Sequence, residues 1–441
     1  MSSRNKIIYQ LALRTFTPDG TIAAATKLLP HVASLGVDIV YLCPFYVEEN
    51  DPDPTYWSVR QTKSGTGNPK NPYKIADYFN VDEEYGTWED LKAFADEAHR
   101  LGLLVMYDLV YLHCGRHAVF VEEHPDFVVR NEDGTVKVPD RWPFARLNFE
   151  SRELREYLME NMKMLMLEYG ADGFRCDVGD SVPLDFWQEA FARLKAINPD
   201  VISLNEGKKP DYIEEVFEIG YGFDWSKVMR QIFRGELPAS ELRVLHDDEC
   251  EIYGENRGKL IRAIDNHDTA SDVVTGRNEI TMTSRGVDAA LVICTTYGGV
   301  PLIWNGYELC DDAENCMFSN RFYGRRSAMN WSKAFTADGE RRGKLIRALH
   351  RLYHDHATCY SHQLTFLEHN APDSVIAYQK KAEGESLLVV VNATGKAVSV
   401  KLDADLRGKP LLRSGVSRRG DRLRLQAYGY LVVRVEHKKS L

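Results

Sequence analysis

Residues Thr87–Asp108 read TWEDLKAFADEAHRLGLLVMYD and join a helix pattern directly to a strand pattern. The segment Thr87-Trp-Glu-Asp90 is close to a capping box, and apolar residues then recur at helical spacing up to Leu101. The apolar run Leu103–Tyr107 follows, and Asp108 ends it. A helix followed at once by a short apolar strand favours a parallel sheet with right-handed crossover connections.

The same alternation of strand and helix patterns continues from residue 6 to about residue 360. The strand-like runs are Ile7–Leu11, Asp38–Leu42, Leu103–Tyr107, Gly173–Asp177, Val201–Asn205, Ile261–Ile264 and Pro301–Trp304, with Phe223–Val228 as a weaker candidate. The helical patterns are Thr87–Leu101, Ser151–Tyr169, Pro183–Ile197, Ser284–Tyr297 and Gly343–His354. Eight such units predict an α/β protein with a (β/α)8 TIM barrel. A doubly wound sheet is the alternative, but no Gly-x-Gly-x-x-Gly turn follows the first strand.

The helical period disappears after about His362. Alternating strand patterns replace it at Ser374–Gln379, Ser386–Val391, Val398–Leu402, Arg422–Leu425 and Tyr430–Val435. We therefore expect a C-terminal antiparallel β-sandwich domain at 361–441, after a barrel formed by 1–113 and 151–360. A short insertion domain at 114–150 follows strand three, and a polar insertion, Val47–Pro72, follows strand two. Both insertions leave the carboxyl end of a strand, the face on which barrels carry their active sites.

Composition excludes several classes of protein. The chain has 441 residues and a formal net charge of −10, so it lacks the basic surface that nucleic acid or an anionic membrane attracts. No apolar run reaches the ~18 residues of a membrane helix, and the N-terminal residues resemble no export signal. None of the eight cysteines has zinc-finger spacing, and several lie in apolar runs. We expect reduced thiols, a cytoplasmic location, and no nucleic-acid or membrane partner.

Four acidic residues end or closely follow apolar strands: Asp108, Asp177, Glu206 and Asp268. One acid at such a position usually caps the next helix. Four at the same end of four strands would converge on one mouth of a barrel, where like charges repel and shift one another's pKa values. The sequence therefore predicts a site that uses paired carboxyl groups.

Asp177 and Glu206 are the best candidates for such a pair. A retaining glycosidase needs one ionised, nucleophilic carboxylate and one protonated carboxylic acid close together. Arg175 lies two residues before Asp177, so on a strand it points to the same side and favours the ionised form. Glu206 has Leu204 at the equivalent position, which makes Glu206 the better candidate for the protonated acid.

The motifs that contain these residues resemble the α-amylase family (glycoside hydrolase family 13). Gly173-Phe-Arg-Cys-Asp177, Asn205-Glu206 and Asp265-Asn-His-Asp268 occur in the family's order on strands four, five and seven. Further matching segments are Asp108–His113 on strand three, Asn71–Tyr78 after strand two, Gly299–Glu308 on strand eight, and Arg326–Trp331. The resemblance covers nearly the whole chain.

The resemblance implies a role for each matched residue. Asp177 would be the nucleophile, Glu206 the general acid/base and Asp268 the transition-state stabiliser. The substrate-binding residues would be Tyr73, which stacks beneath the sugar, Arg175, His113 and His267, which hold it, and Asp108, which braces Arg175.

Two departures from the family pattern stand out. Leu112 occupies the position of an asparagine that often helps to hold a structural calcium, and Gly179-Asp180-Ser181 replaces the Lys-His pair that often follows the nucleophile. The segment Asp51-Pro-Asp53 offers two carboxylates, but a solvated turn is the simpler interpretation. We therefore predict no metal site and no cofactor.

The expected activity is hydrolysis of α-1,4-glucosidic bonds in starch-derived oligosaccharides or polysaccharides, with a carbohydrate as the substrate partner. One alternative is an α-glucan transglycosylase with the same mechanism but a sugar as acceptor. The other is a non-catalytic glucan-binding relative, which would be expected to have lost acids that this chain retains.

Overall fold

Eight parallel strands form a closed barrel, as the sequence predicted. The computed structural model describes residues 5–139, 142–271, 276–324, 328–382, 384–404, 406, 408–419 and 422–435. The barrel strands are β1 (Ile8–Leu11), β2 (Ile39–Leu42), β3 (Leu104–Leu109), β4 (Gly173–Cys176), β5 (Ile202–Asn205), β6 (Ile219–Gly220), β7 (Ile261–Arg262) and β8 (Val300–Trp304). Their order in the sheet is β6-β5-β4-β3-β2-β1-β8-β7, and a parallel bridge between Gly220 and Leu260 closes the ring.

Helices connect the strands and cover the outside of the barrel. They are α1 (Leu13–Phe16), α2 (Ile22–Thr26), α3 (Leu29–Ser34), α4 (Val59–Ser64), α5 (Trp88–Arg100), α6 (Arg152–Leu167), α7 (Leu184–Ile197), α8 (Pro210–Glu215), α9 (Phe223–Phe233), α10 (Glu241–Tyr253), α11 (His267–Ala270), α12 (Asn278–Thr281), α13 (Thr283–Thr296) and α14 (Ala337–Asp355). Among the described residues, no helix combines the length and the apolarity that crossing a membrane requires.

Helix α5 shows why the opening stretch of sequence folds as predicted. The Thr87 hydroxyl accepts a hydrogen bond from the Asp90 amide at 3.2 Å, and the Asp90 carboxylate accepts one from the Thr87 amide at 3.0 Å. This reciprocal pair is the capping box expected from the sequence. Leu91, Phe94 and Ala98 are buried at helical spacing, so the apolar side of α5 lies against the barrel.

The sixth strand was predicted in the wrong place. Phe223–Val228 is the first half of α9, whereas the strand is the two-residue β6 just before it. Trp225, Met229 and Ile232 are buried at intervals of four and three residues, which is the helical period. A strand of two residues is too short to show any period of its own in the sequence.

The two insertions each contain a small antiparallel pair at the carboxyl end of the barrel. Tyr46–Asn50 pairs with Lys70–Val81, and α4 lies in the loop between them. His113–Cys114 pairs with Ala145–Arg146. These pairings hold the ends of both insertions beside β2 and β3, over the mouth of the barrel.

The C-terminal strands are antiparallel, as predicted, and all six belong to one hydrogen-bonded sheet. They are β9 (Leu364–Phe366), β10 (Val375–Ala382), β11 (Glu385–Asn392), β12 (Val398–Lys401), β13 (Gly408–Arg419) and β14 (Arg422–Val435). The order is β9-β10-β11-β14-β12, and β13 also pairs with β14. Alternate residues of β10 and β11 contribute to two cores, one shared with the barrel and one enclosed by the sheet itself.

Two details of this sheet differ from the prediction. The segments Arg422–Leu425 and Tyr430–Val435 are the two halves of the single strand β14, which pairs with β12 through its first half and with β11 through its second. Strand β13 was not predicted, because most of its side chains are exposed and its sequence lacks a clear apolar alternation.

Candidate active site

The carboxyl ends of the barrel strands surround a cavity of about 460 Å³. Asp177 directly follows β4, Glu206 directly follows β5, and Asp268 lies in the first turn of α11 after β7. Six of the eight residues singled out in the sequence line this cavity: Tyr73, His113, Asp177, Glu206, His267 and Asp268. The other two, Asp108 and Arg175, have no exposed surface and lie beneath it.

The Arg175 guanidinium joins three of the acids. Its Nη1 atom lies 2.7 Å from Asp108 Oδ1 and 2.8 Å from Asp177 Oδ1. Its Nη2 atom lies 2.8 Å from Glu206 Oε2. The lack of a cation two positions before Glu206 therefore does not leave this acid without one. The residue two positions before Glu206 is apolar, but the cation reaches it from the neighbouring strand.

Burial and the repulsion between neighbouring carboxylates raise the pKa values of both Asp177 and Glu206. Burial raises the pKa of Asp177 well above its ordinary value, Arg175 opposes this rise, and the charge of Glu206 adds to it. Burial likewise raises the pKa of Glu206, again opposed by Arg175 and increased by Asp268. Two buried carboxyls that share one cation retain a first proton more readily than isolated carboxyls do. The arrangement favours a pair with one ionised and one protonated member.

Tyr73 and His267 belong to a hydrogen-bonded chain that ends on Asp108. Gln10 Nε2 donates to His267 Nδ1 at 2.7 Å, so the proton of the neutral imidazole is on Nε2, which lies 2.9 Å from the Tyr73 hydroxyl. The Tyr73 hydroxyl donates in turn to Asp108 Oδ2 at 2.8 Å, and Tyr41 donates to the same oxygen at 2.6 Å. Burial lowers the pKa of His267 to about 4. His267 is therefore a neutral hydrogen-bonding group at neutral pH.

His113 is fixed from two sides. Its Nε2 atom donates to the Tyr73 carbonyl oxygen at 2.9 Å, and its ring stacks on Phe144 with centroids 4.6 Å apart. Burial lowers the pKa of His113 to about 4. This histidine too presents a neutral ring to the cavity.

Asp268 has an environment unlike that of the other two cavity acids. Its carboxylate forms an ion pair with Arg60 and lies 3.6 Å from His267 Nε2. Although burial raises the pKa of Asp268, its interactions with His267 and Arg60 outweigh that effect and lower the pKa below its ordinary value. Asp268 therefore remains ionised while the Asp177–Glu206 pair holds a proton.

The sequence did not single out several residues that line the cavity. Arg60 comes from α4 in the first insertion, and Trp142 and Phe144 come from the second. Met317 and Phe318 follow β8. For the insertion residues the only sequence signal was the position of the insertions, because no motif marks which of their side chains face the cavity. Of the matched segment Arg326–Trp331, residues 326 and 327 lie outside the described residues.

The residues at the calcium position do not fit that ion. Leu112 is buried at the wall of the cavity and offers no side-chain oxygen. Asp51 in the other insertion is occupied by two cations, Lys74 Nζ at 3.1 Å and Arg116 Nε at 3.1 Å. Although burial raises the pKa of Asp51, hydrogen bonds from Arg116 and Lys74 lower it to about 2. A carboxylate neutralised by two cations is a poor ligand for Ca²⁺.

Comparison with known proteins agrees with this geometry. The profile of the α-amylase catalytic domain matches residues 3–142. α-Amylase MalA from Haloarcula japonica is 25% identical over 429 residues, which is 93% of this chain and 58% of that protein. α-1,4-Glucan:maltose-1-phosphate maltosyltransferase 2 from Streptomyces coelicolor is 25% identical over 85% of this chain and 56% of its own length. The chain thus spans less than two thirds of either relative.

Among solved structures, the noncanonic maltogenic α-amylase AmyB from Thermotoga neapolitana superposes with a TM-score of 0.80. It shares 24% identity, and the match covers 99% of this chain and all of that one. The barrel and its cluster of carboxyl groups define the class of site. The comparisons show that the chain is similar to the α-amylase family, in the catalytic-domain profile over residues 3–142 and in relatives along most of its length.

The Arg60–Asp268 ion pair leads to a prediction about pH. Replacing Arg60 with Met removes a cation that favours the ionised carboxylate, so the pKa of Asp268 should rise. If the activity needs Asp268 ionised, the acid limb of its pH profile should shift to higher pH, with little change near neutral pH. The profile of kcat/KM against pH measures this. Arg60→Lys keeps the charge and is the control; superimposable acid limbs for Arg60→Met and the unmodified protein would contradict the prediction.

Proposed function

We propose that this chain is a retaining α-glycosidase that hydrolyses α-1,4-glucosidic bonds in malto-oligosaccharides or starch-derived polysaccharides. The observation that carries this proposal is the contact of Asp177 and Glu206 with one buried guanidinium at the wall of the cavity. Retaining enzymes need a nucleophile and an acid side by side, and this pair favours a single shared proton. The names of the relatives, an α-amylase and a glucan maltosyltransferase, support an α-glucan as substrate.

In the first step, a carboxylate oxygen of Asp177 attacks the anomeric carbon, and the bond to the leaving oxygen breaks. Glu206 gives its proton to that oxygen, so the leaving chain departs as an alcohol. In the second step Glu206 takes a proton from water, the water oxygen bonds to the anomeric carbon, and Asp177 is released as a carboxylate. The proton is restored to Glu206, and the anomeric configuration is retained.

The neighbouring residues bind the sugar and stabilise its positive charge. The ionised Asp268 stabilises the oxocarbenium-like transition state. Neutral His113 donates its one N–H to the Tyr73 carbonyl and accepts a hydrogen bond from a sugar hydroxyl at Nδ1. The His267 ring lies beside it in the same cavity, and the Tyr73 ring supplies an apolar face. Arg175, braced by Asp108, keeps Asp177 and Glu206 on the same side of the cavity.

A glycosyl transferase is the second candidate, because one relative transfers maltosyl groups. The two functions share the covalent step and differ only in the acceptor that attacks it. Analysis of the products from maltoheptaose, with and without added maltose, tests both. Hydrolysis yields shorter sugars with one new reducing end per cleavage, whereas transfer yields products longer than seven units without a net gain of reducing ends. The absence of any product from maltoheptaose, pullulan, trehalose and sucrose would refute both.

Replacing Asp177 with Asn should abolish turnover without unfolding the protein. An amide oxygen is a poor nucleophile, so kcat should fall by several orders of magnitude. Reducing-sugar assays measure the loss, and thermal unfolding checks the fold. Asp211→Asn, which changes an exposed acid at the start of α8, should leave kcat unchanged. Activity of Asp177→Asn within tenfold of the unmodified protein would overturn the assignment and favour a binding protein.

Replacing Glu206 with Gln should separate substrates by their leaving groups. A sugar leaving group needs a proton, whereas 4-nitrophenolate leaves without one. Turnover of maltoheptaose should therefore fall about 100-fold or more, and the first step with 4-nitrophenyl α-maltoside should fall far less. Pre-steady-state release of nitrophenol measures that first step. Equal losses on both substrates would rule out Glu206 as the acid.

We also propose that neither folding nor activity requires calcium, since Leu112 and the neutralised Asp51 provide no suitable ligand set. Unfolding temperature and turnover should be the same with and without excess EDTA. A bound ion present at a hundredfold excess over its Kd would stabilise the fold by about 2.7 kcal/mol. A fall of several degrees on chelation that Ca²⁺ reverses, and Na⁺ does not, would contradict this prediction.

A cytoplasmic location is part of the proposal as well. None of the eight cysteines, all of them described residues, forms a disulfide, and seven of them are buried, as expected where thiols stay reduced. Fractionation of the native cells tests this location.

A further inference from the structure

The loop that follows Asp177 contacts the main chain around Glu206. Gly179-Asp180-Ser181 occupies the place where the Lys-His pair was expected, and only Ser181 of this segment lines the cavity. The Asp180 carboxylate instead points to the segment after β5. Within the described part of the chain, the Asp180 side chain makes several hydrogen bonds to that segment.

The Asp180 carboxylate accepts hydrogen bonds from residues that precede and follow Glu206 in the chain. Its Oδ1 atom accepts a hydrogen bond from Asn205 Nδ2 at 2.7 Å. Its Oδ2 atom accepts from the backbone amides of Lys208 at 2.7 Å and Lys209 at 3.0 Å. Three donors thus converge on one carboxylate, and the chain between them contains only Glu206 and Gly207.

The two loops approach so closely that a side chain at either of two glycines would displace the groups that join them. A Cβ atom added at Gly207 would overlap the Asp180 carboxylate, and one added at Gly179 would overlap Asn205 Oδ1. Directly before Gly179 is Val178, a β-branched residue held at a positive φ of 42°. Such a conformation is costly and persists only where surrounding contacts enforce it.

The backbone amide of Val178 contacts the Glu206 carboxylate directly. It donates to Glu206 Oε2 at 2.8 Å, the same oxygen that lies 2.8 Å from Arg175 Nη2. The backbone amide of Val178, a residue with an unfavourable φ, thus holds the Glu206 carboxylate. Asp180 on the same loop holds the main chain on both sides of Glu206. Moving the two loops apart would lengthen both sets of contacts together.

We propose that Asp180 is a positioning residue that holds the general acid Glu206 against Val178 and Arg175. This inference rests on the proposed function, since it needs Glu206 to deliver the proton. Asp180 touches no reacting atom. Its effect appears in the chemical step that depends on Glu206 and in no other step.

The test is a double-mutant cycle on two substrates. Asp180→Ala should lower kcat for maltoheptaose about 10- to 100-fold. It should lower the first step with 4-nitrophenyl α-maltoside less than threefold. In the Glu206→Gln background, Asp180→Ala should add almost nothing to the loss on maltoheptaose, because residues that act as a unit are not additive. Gly207→Ala, which pushes the same carboxylate away, should give the same preference for the activated substrate.

The controls separate this role from a general effect on folding. Asp224→Ala removes the carboxylate that pairs with the Lys208 side chain at 3.0 Å and leaves the Lys208 amide untouched. It should have no effect on either substrate. Asp180→Asn retains one acceptor oxygen for three donors and should give an intermediate loss, so it serves as the readout if Asp180→Ala does not fold.

Equal losses on both substrates, or full additivity with Glu206→Gln, would overturn the positioning role. Failure of the proposed function has a different signature. In that case the unmodified protein cleaves no glucan, or Glu206→Gln itself shows no difference between the two substrates.

Discussion

The site depends on one buried arginine. Arg175 has no exposed surface and faces three acids, Asp108, Asp177 and Glu206, at 2.7–2.8 Å. A buried charge is costly unless it is paired, and removing one partner of such a group leaves the others unpaired. The cluster therefore determines how closely β3, β4 and β5 bring their acids together. Lysine could not replace the arginine, because a single ammonium cannot span the separate positions that the planar guanidinium reaches.

One cation opposite three acids leaves an excess of negative charge, and this excess gives the cluster its chemical character. Burial makes that excess costly, so the acids lower the cost by retaining a proton. Asp108 is already engaged by Tyr41 and Tyr73 through its second oxygen. Burial raises the pKa of the two acids at the cavity, so this pair retains the proton, while Asp268, paired with Arg60, stays ionised outside the cluster. Asp177 and Glu206 share the Arg175 cation and together hold a proton, whereas Asp268 has its own cation, Arg60, and stays ionised.

Most of the barrel and the acids at its strand ends could be predicted from the sequence, because both are local signals. Each strand that was long enough to show an apolar run was located, and each acid followed such a run. The failures have a common cause. Strand β6 is too short for a period, Arg60 and Trp142 lie on insertions without a repeating pattern, and the contact of Arg175 with Glu206 joins different strands. Contacts between strands depend on register, which no single segment reveals.

Register also explains why the motif around Asp177 begins with glycine. Asp108 on β3 lies directly opposite Arg175 on β4, so the two side chains leave the sheet on the same side. On the other edge of β4, a Cβ atom at Gly173 would lie 2.7 Å from the carbonyl oxygen of Ile202 on β5. A side chain there would force the two strands apart. Glycine at 173 permits the close approach of β4 and β5, and that approach brings Asp177 and Glu206 to opposite nitrogens of the same guanidinium. The residue with no side chain is therefore as necessary to the paired acids as the arginine between them.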